Sequence, residues 1–328
     1  MQAWQDFVAQ QNLSDAPIGE CAITDLSHLG VIRVSGEDRL TFLQGQLSND
    51  INKVSDTHSQ LSSHCSPKGR MLSSFRIVAR GEELLLILPI ERLEATLKRL
   101  RMFVLMSKVT LEDASDSIVR IELSGACAPD LLPLDPPAAD NGVISQDDYS
   151  IVRIPGDRPR FLVLGDAESM QALWEEAVQT ATPTAAASWR LLDIRAGLPT
   201  VYESTSEAFV PQMTNMQLVD GVSFTKGCYT GQEVVARMQY LGKLKRRMYR
   251  VQLDSASAPQ PGDELFSASS ASGQGAGRVV DVAPSPDGGF EALVVSEISS
   301  AEAADLQLGD ADGPTLKLLD VPYAYGDE

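Results

Sequence analysis

The longest apolar run in the chain, Leu84 to Ile90, has only the length of a buried strand, and this limits what the sequence can build. A membrane-crossing helix needs roughly 20 predominantly apolar residues, so no span is expected. Short elements must instead turn their apolar faces toward one another. Gly30 to Ser35 reads as a β-branched strand, Asp38 to Leu47 as a helix with Leu40, Leu43 and Leu47 on one face, and Met71 to Ala79 and Leu84 to Pro89 as further strands. A helix from about Glu91 to Met106 carries Leu93, Leu97, Leu100 and Val104 at helical spacing and should face a sheet. The layout is α+β.

A second unit of similar order begins near Ile118, with strands at Ile118 to Leu123, Tyr149 to Ile154 and Arg160 to Leu164, a short helix around Pro129, and a helix from Glu168 to Gln179. Trp189 to Ala196 reads as one more helix, closed by Gly197 with Pro199 just beyond. The last stretch changes character. Met248 to Leu253, Glu264 to Ser267, Arg278 to Val282, Phe290 to Ile298 and Thr315 to Leu319 are short runs between Pro and Gly turns, as in a small antiparallel barrel. The expected division is residues 1–115 as a first α+β domain completed by 202–241, residues 116–201 as a second, and 242–328 as a barrel. A length of 328 residues accommodates two or three such cores.

A net charge of −18 argues against direct nucleic-acid binding, which needs a basic surface. The charge is uneven. Residues 251–328 hold 14 acidic and 2 basic side chains, whereas 226–250 hold 7 basic ones against the single Glu233. That basic stretch either meets an anion or is a solvated strand. The first basic residue is Arg33, so neither a secretory signal nor an organellar presequence is expected, and the protein is read as cytoplasmic. Cys21, Cys65, Cys127 and Cys228 are widely spaced, without a C-x-x-C and with only three histidines, so reduced thiols and no metal site are expected.

The most informative stretch is Lys226-Gly227-Cys228-Tyr229-Thr230-Gly231-Gln232-Glu233. Thr230 and Glu233 stand in the T-x-x-E relation of a capping box, which predicts a helix from about Gly231 that stops at Gly242. Cys228 would then lie just ahead of the positive end of a helix and two residues from Lys226, both of which favour a thiolate. The alternative is a cysteine that merely packs. A Cys–His nucleophile would have to borrow His28, His58 or His64 from the distant N-terminal unit.

This octet, the preceding run Val210-Pro211-Gln212-Met213-Thr214-Asn215-Met216-Gln217 with Gly221-Val222-Ser223-Phe224, the phrase Phe42 to Asp50 and the hairpin Cys65-Ser66-Pro67-Lys68-Gly69-Arg70 together resemble the YgfZ family, whose pattern is K-G-C-Y-x-G-Q-E. The match extends in outline over positions 29 to 242. The resemblance implies a three-domain ring like the aminomethyltransferase of glycine cleavage, two ferredoxin-like α/β units plus a C-terminal antiparallel β-barrel, with tetrahydrofolate in the central hole. It implies a folate-binding role for Trp189, which precedes Ile194-Arg195-Ala196-Gly197-Leu198-Pro199, and Leu29 stands where the family has a second tryptophan.

A pterin needs flat apolar faces and amide-like partners, which Gln212, Asn215 or Gln217 would supply unless they only form turns or satisfy the core. A glutamate tail would be drawn to Lys243, Lys245, Arg246 and Arg247. The transferases carry a pair of aspartates shortly after the hairpin, where this chain reads Arg70-Met71-Leu72-Ser73-Ser74, and they lack the cysteine motif. The resemblance therefore implies an accessory protein that supports assembly or repair of iron–sulfur client proteins, including enzymes that thiolate tRNA, with Cys228 as the working thiol and Lys226 beside it. A folate-dependent one-carbon transferase or demethylase, and a plain scaffold, are the competing expectations.

Overall fold

The computed structural model describes residues 2–14, 19–146, 148–270 and 275–325. The first third runs α1 (Gln2–Val8), β1 (Cys21–Asp25), β2 (Leu29–Ser35), α2 (Arg39–Gln46), β3 (Gln60–Cys65), β4 (Met71–Arg80), β5 (Glu83–Pro89), α3 (Ile90–Arg101) and β6 (Thr110–Asp113). The middle follows as β7 (Val119–Gly125), α4 (Ala128–Leu131), β8 (Val143–Gln146), β9 (Tyr149–Arg153), β10 (Arg160–Gly165), α5 (Ala167–Ala177), β11 (Thr182–Thr184) and α6 (Ala186–Arg195). After a 3-10 turn at Pro211–Thr214 come α7 (Gln232–Tyr240), β12 (Arg246–Leu253), β13 (Glu264–Ser267), β14 (Gly277–Pro284), β15 (Phe290–Glu297), α8 (Ile298–Glu302), β16 (Leu306–Leu308) and β17 (Lys317–Leu319).

Three sheets result. The first has the order β3-β4-β5-β2-β6, the second β11-β1-β7-β10-β9-β8, and the third β16-β13-β14-β15-β12-β17, curled into a half-barrel. The fold is thus α+β, as the alternation of periods implied. One face of the first sheet packs on α2 and α3 through Leu43, Leu47, Leu93, Leu97 and Leu100. Its other face meets the second sheet through Val31, Val78, Leu85, Ile118, Val152 and Leu164. Because each strand alternates its side chains, strands of Val, Ile and Leu on both parities are what two covered faces require.

Three features depart from the expected element plan. Strand β1, which lies in the stretch 1–115, pairs antiparallel with β7 in the second sheet, and α1 packs there too, Trp4 edge-on to Trp174 at 5.9 Å. Burial of Trp4 and Ile23 against Trp174 accounts for this placement. Helix α3 stops at Arg101 instead of Met106: its buried face ends at Leu100, and Arg101 donates to the Leu111 carbonyl at 2.6 Å, so Leu105 and Met106 are left exposed. Cys21 and Cys127, expected as thiols, form a disulfide between β1 and the start of α4, with Cα atoms 5.7 Å apart.

The segment from Tyr202 onward returns to the first sheet. The Met71 amide donates to the Phe209 carbonyl and the Glu207 amide to that of Met71, both at 2.8 Å, while Asn49 Nδ2 donates to the Asp220 carbonyl at 2.6 Å. Helix α6 is bound to the half-barrel by Arg190 to Asp281 at 2.8 Å and Arg195 to Glu291 at 2.6 Å. Among the described residues no helix is long and apolar enough to cross a membrane.

Candidate functional site

Where the first two sheets face each other, their apolar layer parts into a cleft of about 600 Å3, counting its open mouth. Leu29, at the head of β2, lines it from the first sheet, with Ile87 from β5. Trp189 and, one helical turn later, Asp193 line it from α6. Leu29 and Trp189 are thus brought together. The indole has the Arg160 guanidinium over its ring at 4.7 Å, and Arg160 is fixed by Glu122 at 2.7 Å and Asp193 at 2.9 Å. Burial pushes the Asp193 carboxyl up from its ordinary range, with Arg160 pulling the other way. Arg76 from β4 also lines the cleft and donates to Asn141 Oδ1 at 2.7 Å. A flat ring with hydrogen-bond donors along one edge matches this combination of apolar walls and a buried carboxylate.

Asp193 and Arg76 were not picked out from sequence. The spacing of Trp189 and Asp193, four residues apart on one helix face, was the available signal.

The amides lie elsewhere. Gln212 donates its Nε2 to the Val235 carbonyl at 2.6 Å, and Asn215, in the left-handed conformation with φ 59°, donates to the Met248 carbonyl at 3.0 Å and the Tyr323 hydroxyl at 3.2 Å. Neither they nor Gln217 lines the cleft. Gln212 and Asn215 instead hold the 3-10 turn against α7 and the half-barrel. Arg246 does not line the cleft either: it donates to the Gly275 carbonyl at 2.6 Å and pairs with Glu297 at 3.3 Å. Arg250 pairs with Glu291 at 2.6 Å, and Arg247 stacks over Tyr325 at 4.5 Å. Arg246 and Arg250, two of the seven basic residues of the stretch, are therefore paired with carboxylates of β15 in the same half-barrel.

The octet folds against the hairpin that links β3 to β4. Gly69 and Gly231 both have left-handed φ, 70° and 84°, and a Cβ on Gly231 would stand 2.4 Å from the Ser66 carbonyl oxygen and 2.9 Å from the Gly69 Cα. The two backbones touch because neither residue has a side chain. Helix α7 starts at Gln232 with Gly231 as its cap, but no side chain caps it, so the expected Thr230–Glu233 box does not form. The left-handed turn at Gly231 dictates the start instead. Its end matches the expectation, with the amides of Leu241 and Gly242 both donating to the Arg237 carbonyl.

Cys228 is exposed and free, ahead of the α7 N-terminus, and Gly227 beside it faces open space. Lys226 does not serve this thiol. Its ammonium donates to the carbonyls of Gln44 at 2.7 Å, Leu47 at 2.6 Å and Asn49 at 3.1 Å, which uses all three of its N–H groups. The Gln44 and Leu47 carbonyls end α2, where a cation also complements the helix dipole. Burial pulls the Lys226 ammonium down to about 8, opposed by Asp50. Tyr229 is buried with Lys226 over its ring at 5.0 Å, and Cys65 lies in the core, its thiol pushed up to about 12 by burial. Glu233 is exposed. Among the described residues no group of His, Cys, Asp and Glu is placed to hold a metal ion.

Comparison with known proteins agrees with this architecture. The GCVT N-terminal domain family matches residues 2–135. The tRNA-modifying protein YgfZ of Colwellia psychrerythraea is 38% identical over 245 residues, 74% of each chain, and that of Yersinia pestis (strain Pestoides F) is 31% identical over 325 residues, 98% of each. The crystal structure of the glycine cleavage aminomethyltransferase from Bartonella henselae superposes with a TM-score of 0.72 at 15% identity, covering 94% of this chain and 87% of the other. By its sequence over nearly its whole length, then, the chain belongs to the YgfZ family.

Proposed function

We propose that this protein binds tetrahydrofolate in the cleft between its first two sheets and supports the assembly or repair of iron–sulfur proteins, tRNA-thiolating enzymes among them, through Cys228. The observation that carries the folate reading is the pairing of Trp189 and Leu29 with the buried Asp193 carboxylate in one cleft. The amino-pyrimidinone edge of a pterin offers parallel N–H donors that a carboxylate accepts, and the apolar walls take its faces. The name of the relatives, tRNA-modifying protein, is in keeping with clients that act on tRNA. The exposure of the free Cys228 thiol supports its contact with a client.

The competing one-carbon transferase needs a carboxylate near the folate nitrogen. Of the two serines at the corresponding place, Ser74 lines the cleft, its Oγ accepting from the Val201 amide at 2.9 Å, and Ser73 points across the sheet, where it is engaged with Thr96. Neither serine carries charge.

Titration with tetrahydrofolate, followed by tryptophan fluorescence with Trp189→Phe as control, tests the cleft. Saturable quenching that weakens about tenfold in Asp193→Asn is expected, as for a lost hydrogen bond to a charged group; no quenching leaves only a scaffold. Cys228→Ala should abolish support of client cluster enzymes while folate affinity stays at the wild-type value. Undiminished client activity in that variant refutes the thiol's role, and turnover of a methylamine donor by the purified protein would favour the transferase.

A further inference from the structure

On the opposite side of the first sheet from the folate cleft, between the β3–β4 hairpin and α3, lies a second cavity of about 690 Å3 counting its mouth. Its lining is unusual in how many hydrogen-bonding groups are left unused. His64 is 1% exposed, yet neither ring nitrogen has a partner in the protein. The Ser66 hydroxyl and the Nε atoms of Arg92 and Arg99 are likewise buried without one. Buried polar atoms are almost always paired, and leaving several unpaired around one space is costly unless a ligand or water takes them up.

The side chains come from three elements. Arg92, Thr96 and Arg99 recur at helical spacing along α3, on a stripe beside the leucines that face the core. His64 and Ser73 stand opposite each other on β3 and β4. Arg92 is steadied by donating to the Leu72 carbonyl at 3.1 Å, and Arg99 by lying over the Phe103 ring at 5.3 Å, a ring that also makes a T-shaped contact with His64. Burial, aided by Arg99, brings the imidazole down to about 4, so at neutral pH it offers one donor and one acceptor. Glu207 at the rim is the one carboxylate among the lining residues.

We propose that this cavity is a binding site for a phosphomonoester, its phosphate group held by Arg92, Arg99, His64 and the Ser66 hydroxyl. Two guanidinium groups supply the charge and fork-shaped donors that phosphate oxygens match. Donors converging from a helix, a strand and a hairpin suit a tetrahedral oxyanion better than a planar carboxylate, and the open mouth leaves room for the alcohol part of the ester. The site is independent of the folate reading, since it lies across the sheet from Trp189.

The test uses the full chain with inorganic phosphate and glycerol 2-phosphate, and malonate as the planar dicarboxylate, reading the ring nitrogen resonances of His64 and calorimetric affinity. Saturable displacement of the His64 resonances by both phosphates is expected, with the affinity falling about tenfold or more in Arg99→Gln and in Arg92→Gln. The His64 signal in the unaltered protein keeps the test open even where a variant folds poorly. Absence of a saturable shift, binding unchanged in Arg99→Gln, or tighter binding of malonate than of phosphate would each overturn the proposal.

Discussion

Replacing Gly231 with alanine puts the contact between the cysteine loop and the first sheet to a direct test. The residue has φ 84°, a conformation that costs an L-residue about 1–2 kcal/mol. The added Cβ would also lie 2.4 Å from the Ser66 carbonyl oxygen, 2.9 Å from Gly69 Cα and 3.0 Å from Gly69 N. All three are backbone atoms, so no rotamer change relieves the overlap, and the hairpin must move away from the start of α7. Overpacking of this kind costs about 1–3 kcal/mol, which brings the expected loss to about 2–5 kcal/mol. Gly227→Ala is the control: nothing lies within 4 Å of its Cβ position, and a surface change of that sort stays within about 0.5 kcal/mol. Urea unfolding measures the stability. Native-state labelling with a disulfide reagent measures the loop, since Cys65 is buried and Cys21 and Cys127 are bonded, leaving Cys228 to react. A lower unfolding midpoint and an altered labelling rate are expected for Gly231→Ala alone. A wild-type midpoint for that variant, or an equal loss in Gly227→Ala, would refute the reasoning.

Leu29→Trp restores an aromatic wall to the cleft and should tighten tetrahydrofolate by about 1 kcal/mol, roughly fivefold in the fluorescence titration; weaker or unchanged binding contradicts the placement. His28 and His64 are both held down to about 4 chiefly by burial, against an ordinary 6.5. The unfolded rings bind protons that the folded ones refuse between those values, so stability is full above pH 6.5 and falls toward pH 4, by about 3 kcal/mol for each ring. Urea midpoints across that range check it, and a flat profile counts against it. Denatured but unreduced protein should titrate two thiols, and four after reduction; four without reductant would exclude the Cys21–Cys127 bond.

The elements legible in the sequence were those whose burial follows a simple period. Strands β2, β5 and β10 are runs of apolar residues covered on both sides, and α6 ends where Gly197 and Pro199 say it must. Strand β3 escaped notice because Gln60, Ser62, Ser63 and His64 are buried despite being polar, which no hydropathy pattern reports. The two serines have partners remote in sequence: Ser62 Oγ accepts from the Asn49 amide at 3.1 Å and Ser63 Oγ meets Ser48 Oγ at 2.8 Å. The same distance problem affected the site. Trp189 announced itself within a motif, whereas the inward direction of Gln212 and Asn215 depends on carbonyls 23 and 33 residues away. Lys226, expected beside the thiol, donates instead to carbonyls near position 47, which its place in the octet does not reveal.

Strand β4 sets two consecutive serines on opposite sides of the same sheet, Ser74 toward the cleft that holds Trp189 and Ser73 toward the cavity that holds His64. The two compartments therefore share a party wall one peptide thick. Displacing that strand toward one room draws it away from the other, and its Met71 amide is bonded to the Phe209 carbonyl, in the segment that leads into the thiol loop.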